Sequence, residues 1–272
     1  MMGRRPGGVK RLQSSALSQK SLPFRTRPVS MNVLAIDTST EYCSIALDCG
    51  DRVHSRHVRA GNTHSEIALP LLDELLREAG MTFAAVDAIA YGEGPGSFTG
   101  LRIGAGIVQG LALSRGLKVL GISTLEVLAE AATMQDANDR VKDANDRVQD
   151  ASTRVIACLD ARMSEIYHAA YVRDGDGWRC ESAPGVFPPR SAPTVQGEGW
   201  TGAGSGFAAY GEILAARYGV QIARVLPDTW PAATALLRLA GPRLLRGEGG
   251  DAASAVPIYL RDKVALKTSE RA

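Results

Sequence analysis

Two aspartates each end an apolar run and open a short turn, so a cleft between them is one place where a ligand could be held. Asp37 follows Val33-Leu34-Ala35-Ile36 and precedes Thr38-Ser39-Thr40. Asp160 follows Val155-Ile156-Ala157-Cys158-Leu159 and precedes Ala161-Arg162-Met163-Ser164. Between them lies a glycine-dense stretch, Tyr91-Gly92-Glu93-Gly94-Pro95-Gly96-Ser97-Phe98-Thr99-Gly100-Leu101-Arg102-Ile103-Gly104. Glycine loops ahead of a helix can cradle phosphates, because free backbone N–H groups and the helix dipole meet there. Here no Lys-Ser/Thr follows the glycines, and Ser97 takes the third glycine's place in a G-x-G-x-x-G spacing. A tight turn that brings a helix close to a sheet explains the glycines at least as well.

The remaining reactive residues offer little. His64, Ser65 and Glu66 sit together, but Thr63-His-Ser-Glu66 also spells a capping box, with Thr63 as the cap. His54 and His57 fall on a polar strand and are expected to be solvated, while His168 reads as a strand-face residue. Cys43, Cys49, Cys158 and Cys180 are scattered without a C-x-x-C pair, as expected of reduced structural thiols. Neither Ser97 nor Cys43 has an identifiable base beside it.

The elements that must position these residues come twice. An apolar strand, a turn and a partner strand start at Met31 and return at Val155, which points to an internal duplication. Helices are expected over 63–79 and 100–115 with a strand over 86–91, and further helices near 207–218 and 232–246, the last interrupted at Gly241-Pro242. Such alternation favours an α/β sheet. A tandem seven-residue repeat joins the halves: Asp136 to Lys142, Asp143 to Gln149, and a third copy from Asp150. One Val per heptad cannot build a coiled-coil seam, so an expanded, solvated connector is expected.

The 272 residues suffice for about two domains. No apolar run approaches the ~20 residues of a membrane span, so the cytoplasm is the expected location. The first thirty residues hold seven basic side chains, Arg4, Arg5, Lys10, Arg11, Lys20, Arg25 and Arg27, and no acid. Removing those seven charges from a net +2 leaves the rest at about −5. That acidity argues against a stand-alone nucleic-acid binder. The leader reads as a disordered extension or an early start ahead of Met31.

Taken whole, the stretch from Tyr91 to Gly104 resembles the bacterial family of dimerisation subunits of the tRNA threonylcarbamoyladenosine machinery, the TsaB family. Met31-Asn-Val-Leu-Ala-Ile-Asp-Thr-Ser-Thr40, His64-Ser65-Glu66, Leu159-Asp160-Ala161-Arg162-Met163-Ser164-Glu165-Ile166-Tyr167 and Pro257-Ile258-Tyr259-Leu260-Arg261-Asp262 carry the same resemblance. It implies two actin/Hsp70-like, ribonuclease H-like α/β lobes. The division is then a leader 1–30, a first lobe 31–135 with the pairing helices, a connector 136–154 and a second lobe 155–272. Phosphate-handling members of that superfamily carry an Asp-x-Gly turn after the first strand, where this chain has Ser39, so Asp37, Thr38 and Asp160 are expected to line a vestigial nucleotide cleft. The signature loop itself is Gly94, Pro95, Gly96, Ser97, Phe98, Thr99 and Gly100. The catalytic relative bears an H-x-x-x-H metal pair, where loop alignment puts Thr124 and Leu128.

The resemblance therefore implies a non-catalytic scaffold without cofactor or metal. It would pair with the catalytic TsaD-type relative, work with a TsaE-type ATPase, self-pair when alone, and meet tRNA only through the complex. The alternatives are a nucleotide-binding module, or a peptidase-like enzyme of the kind the superfamily has been labelled. The first helix spreads apolar residues over about 200°, where one buried face needs ~100°, and the second carries Gly100, Gly104, Gly106 and Gly110. Packing within the lobe and packing on a partner explain this equally well. The resemblance favours the partner, through Ile67, Leu71, Leu72, Leu75, Leu76, Leu101, Gly104, Gly106 and Val108.

Overall fold

The computed structural model describes residues 31–50, 52–142 and 154–261, so the leader and most of the tandem repeat lie outside the described residues. The first sheet is ordered β3-β2-β1-β4-β5. Its centre, β1 (Val33–Asp37), is buried along its whole length, as expected where helices cover both faces and the sequence reads as an unbroken apolar run. β2 (Tyr42–Asp48) pairs with it antiparallel, setting Ser44 opposite Asp37, and β4 (Ala88–Gly94) pairs with it parallel. β5 (Lys118–Ser123) lies parallel beyond β4. The edge strand β3 (Val53–Arg59) is largely exposed and carries Arg56 and Arg59, charges that discourage edge-to-edge pairing.

The second sheet repeats this plan. β6 (Arg154–Arg162) pairs antiparallel with β7 (Glu165–Asp174) and parallel with β9 (Trp200–Ala203); β8 (Gly177–Phe187) and β10 (Ile222–Leu226) form the edges, in the order β10-β9-β6-β7-β8. Both sheets thus follow one topology, and the expected two-lobed α/β architecture is present.

One face of the first sheet is covered by α1 (His64–Glu78) and α2 (Phe98–Leu113), with Leu72, Leu75, Leu76 and Val108 packed against Ile36, Ile45 and Ile89. The opposite face is covered by α5 (Ala233–Leu245), whose Leu236, Leu239 and Ala240 meet Val33, Ala35, Ala46 and Ala88. The Ala233 N–H also donates to Ser44 Oγ at 2.8 Å. A sequence division at 155 places α5 with the second half, yet in space it completes the first lobe. α4 (Ser205–Tyr218) covers one face of the second sheet and α3 (Thr124–Lys142) the other. α3 gives Leu125, Leu128 and Ala132 to the second lobe and Val127 and Ala131 to the first. A helix lying between two sheets is buried nearly all round, and residues 124–133 are so, apart from Glu126.

Several expectations fail for identifiable reasons. α3 runs to Lys142, through the first seven-residue unit, where an expanded connector was expected. Once a buried segment has nucleated a helix, each added turn is cheap even for poor helix formers. Gly241-Pro242 does not interrupt α5, because Leu239, Ala240 and Leu244 are held in the core on either side. Thr63 does not cap α1: its hydroxyl donates backward to the Ala60 carbonyl at 2.9 Å, and Glu66 is exposed. His54 is buried rather than solvated, with Nδ1 3.1 Å from the Glu78 carboxylate. His57 is exposed and stacks on Tyr42 with centroids 4.5 Å apart. His168 lies buried on β7.

Candidate functional site

The turn after β1 sits directly beneath the glycine loop. Asp37 is buried, and its Oδ1 accepts from the Ser39 N–H (3.0 Å) and the Ser39 hydroxyl (2.7 Å). The Thr38 hydroxyl donates to the Gly100 carbonyl at 2.8 Å, and the Ser97 N–H donates to the Ser39 carbonyl at 2.7 Å. Gly92, Gly96, Gly100 and Gly104 all face this turn. A Cβ on Gly92 would strike the Asp37 carboxylate, on Gly96 the Ser39 carbonyl, on Gly100 the Thr38 carbonyl, and on Gly104 the Thr38 hydroxyl. Glycine recurs there because Gly96 and Gly100 lie on backbone and Gly92 and Gly104 on the Asp37 and Thr38 side chains, and this close approach decides for the tight-turn reading of these four glycines. Ser97 caps α2, its Oγ accepting from the Gly100 N–H at 3.3 Å.

Among the described residues, Asp37 Oδ2 has no hydrogen-bond partner, nor has the buried Thr124 Oγ1, which also faces Gly92. Burial raises the Asp37 pKa, opposed by the two Ser39 hydrogen bonds and the nearby His64. This acid is therefore withdrawn from solvent and neutralised in tendency, a poor arrangement for a general base or metal ligand.

The space between the lobes is a cleft of about 880 Å³. From the first lobe it is lined by Ser39, Thr40, Asn62 and the signature residues Pro95, Gly96, Ser97, Phe98 and Thr99; from the second, by Asp160, Arg162, Tyr167 and Ser205. The expected aspartate pair is only half present. Asp160 lines the cleft, but Asp37 and Thr38 are buried behind Ser39 and do not. Gly94, expected within the signature loop, is also buried, against the Ile258 carbonyl. Asp160 accepts from the Arg162 N–H at 2.9 Å and lies 3.4 Å from its guanidinium, so it is engaged within its own turn.

The expected pairing residues separate into two groups. Leu72, Leu75, Leu76, Leu101, Gly104 and Val108 are buried inside the chain itself and cannot face a partner, because the sheet and the turn beneath already claim them. Ile67 and Leu71 are half-buried, and Gly106 is fully outward. A Cβ on Gly106 or on Gly110, one turn on, would meet nothing within 4 Å. Leu69, at 49% exposure, and Leu113, at 78%, are exposed on the same two helices. Thr124 and Leu128 are buried at the start of α3.

Reading the sequence missed a charged centre between the lobes. Glu130, 2% exposed, lies 2.8 Å from Arg173 and 2.9 Å from Arg238 and accepts from Trp178 Nε1 at 3.1 Å. Arg173 and Trp178 come from the second sheet and Arg238 from α5. The one available signal was an acid in an otherwise apolar stretch, Val127 to Ala132.

The family model "TsaD: tRNA N6-adenosine threonylcarbamoyltransferase" matches residues 57–185. A tRNA threonylcarbamoyladenosine biosynthesis protein TsaB of Escherichia coli (strain K12) is 36% identical over 245 residues, 87% of this chain and 97% of its own. The protein of the same name from Haemophilus influenzae is 36% identical over 250 residues, with 88% and 97% covered. A solved structure of YeaZ from Pseudomonas aeruginosa superposes with a TM-score of 0.74 at 37% identity, covering 85% of this chain and all of that one.

Proposed function

Since the chain belongs to the TsaB family, we propose that it takes part in forming threonylcarbamoyladenosine on tRNA, as a non-catalytic subunit that pairs with a TsaD-type transferase. The observation that carries this reading is the outward face of α2. Gly106 and Gly110 lie within a helix, where each costs about 0.8–1 kcal/mol relative to alanine, and among the described residues nothing approaches them to compensate. Gly92, Gly96, Gly100 and Gly104 have a reason among the described residues; these two have none there. A notch of this kind lets a second helix come close, and exposed Leu113, on the same helix, supplies apolar surface beside it. The first lobe 31–135, completed by α5, would then be the pairing lobe, and a second copy would occupy the same face when no relative is present.

Three features support a structural role over a catalytic one. Asp37 is sealed beneath the glycine loop, Ser39 stands where a phosphate-handling turn has glycine, and the positions of the relative's histidine pair are Thr124 and Leu128. A TsaE-type ATPase and tRNA would meet this subunit through the assembled complex. None of the described helices is long and apolar enough to cross a membrane.

The decisive variant is Gly106→Arg. An arginine there is solvated in the free protein and penalised only under a partner. The circular dichroism and melting temperature should match the parent, while elution shifts to the monomer and capture of the TsaD-type relative is lost. A folded variant that still pairs would move the interface elsewhere. The interlobe cleft keeps a nucleotide-binding reading in view, and titration calorimetry with ATP separates it: saturable binding favours the module, and an absence of heat favours the scaffold.

A further inference from the structure

The last described residues do not stay with one lobe. After the short turn at Ala252–Ser254, the chain runs back along α2, where Gln109 donates to the Ala255 carbonyl at 2.8 Å. The Tyr91 hydroxyl accepts from the Val256 N–H at 3.1 Å, and the Ile258 N–H donates to the Glu93 carbonyl at 2.7 Å. Tyr259 then closes on the start of α2. Its hydroxyl accepts from Arg102 Nε at 3.0 Å, and its ring lies 5.3 Å from that of Phe98, over which the Arg102 guanidinium is stacked at 3.8 Å. All these contacts belong to the first lobe.

Two residues later the chain is anchored in the second lobe. Arg261 Nη1 donates to the Ala161 carbonyl at 3.0 Å, and Nη2 pairs with the Glu165 carboxylate. Ile258, Tyr259, Leu260 and Arg261 line the interlobe cleft. The segment therefore crosses from one lobe to the other along one wall of that cleft.

What it grips in the second lobe is unusual. Arg162, Met163 and Ser164 have φ of 62°, 53° and 58°, three successive non-glycine residues in the left-handed region. Each such residue is disfavoured by its Cβ, and a run persists only where surrounding contacts over-determine it. Asp160 holds the turn from one side through the Arg162 N–H, and Arg261 holds it from the other through Ala161 and Glu165.

We infer that Val256–Arg261 is a strap that fixes the separation of the two lobes and pins the left-handed turn of the β6–β7 hairpin into the cleft wall. Its anchors are the Tyr259–Arg102–Phe98 cluster on the first lobe and Arg261 on the second. The strap rests on contacts within one chain and stands or falls independently of the pairing assigned to α2.

Hydrogen exchange on the full-length protein tests this, read at the amides of residues 160–164. Arg261→Ala should speed their exchange about tenfold while the global melting temperature stays close to the parent's, as for a local opening. Tyr259→Ala is the sharper variant, because Tyr259 is bonded on the first lobe and the readout lies on the second. The strap predicts faster exchange there too, and Tyr259→Phe, which keeps the ring against Phe98, should fall between. If Arg261→Ala fails to fold, Tyr259→Ala decides alone. Parent-like exchange at 160–164 in Tyr259→Ala overturns the strap. Acceleration of these amides by Glu130→Gln in that event would assign the lobe separation to the ionic centre that Glu130 forms with Arg173 and Arg238.

Discussion

The two lobes share a strand order but treat the turn after their first strand in opposite ways. In the first lobe, Asp37 is buried under four glycines and the outer face of the sheet carries two helices, α1 and α2. In the second, Asp160 lies at the cleft, its turn is held in the left-handed region, and the place of α1 between β8 and β9 is taken by a single short turn, Pro189–Ser191. The first copy buries its aspartate and carries an extra helix on its outer face, whereas the second keeps its aspartate at the cleft that both lobes line. A duplicated fold can thus use equivalent turns differently: one seats a glycine loop, the other faces a cavity.

The largest effect that could break this comparison is on α1 and α2. Leu72 is 5% exposed inside the first lobe, so Leu72→Arg buries an unpaired charge and should cost about 3–5 kcal/mol, enough to unfold the lobe. Gly106→Arg should leave the fold intact and abolish pairing. Circular dichroism and gel filtration on the pair would reverse the picture if Leu72→Arg folded normally and Gly106→Arg did not.

The lobes should also answer acid in opposite senses. His168 in the second lobe is fully buried, its two ring nitrogens have no partner among the described residues, and burial pulls its pKa down to about 4. Its neutral form is the folded one, so stability is complete above the ordinary histidine pKa near 6.5 and falls as the pH drops from there towards 4. The full loss is on the order of 3 kcal/mol at the acid end. His168→Phe, among the rings of Phe187 and Tyr218, should flatten that decline in a series of melts between about pH 7 and pH 4. A slope identical to the parent's would show that the decline has another source.

The smallest effect concerns Asp37. Its pKa is raised, so the protonated form is favoured in the folded state and its contribution is lost as pH climbs through the folded value. Asp37→Asn can keep the oxygen that accepts from Ser39 and removes the buried charge. It should melt slightly above the parent at pH 8, with the gap closing towards pH 4. A variant that melts well below the parent at pH 8 would mean that the carboxylate is stabilised by a group beyond the Ser39 and His64 contacts described for the first lobe.

Much of the fold was legible because central strands buried on both faces leave unbroken apolar runs, and Val33–Asp37 and Val155–Asp160 announce the duplication on their own. The glycines were only partly legible. Gly104 and Gly106 stand two residues apart, one pressed on Thr38 and the other facing open space, and composition cannot distinguish them without the helix's rotation. The apolar excess of α1 was visible, but that Leu72, Leu75 and Leu76 are satisfied internally follows from sheet placement. Thr63 matched a capping pattern whose hydroxyl turns the other way, since local competition among carbonyl acceptors is settled by loop geometry. The strap was visible as a matching segment, Pro257 to Asp262, without its function, because its two anchors lie in different lobes.

The position of α5 bears on how the chain is made. The inner face of the first sheet, formed by strands that emerge from the ribosome early, is covered by a helix that begins at Ala233. Contacts of such sequence separation form slowly, and at 5–20 residues per second translation leaves that face open for roughly 10–40 s. The nascent first lobe therefore exposes an alanine- and valine-rich sheet face throughout synthesis of the second. It reaches its native state only after α5 has emerged, which makes it a natural client for chaperones that shield apolar surface during translation.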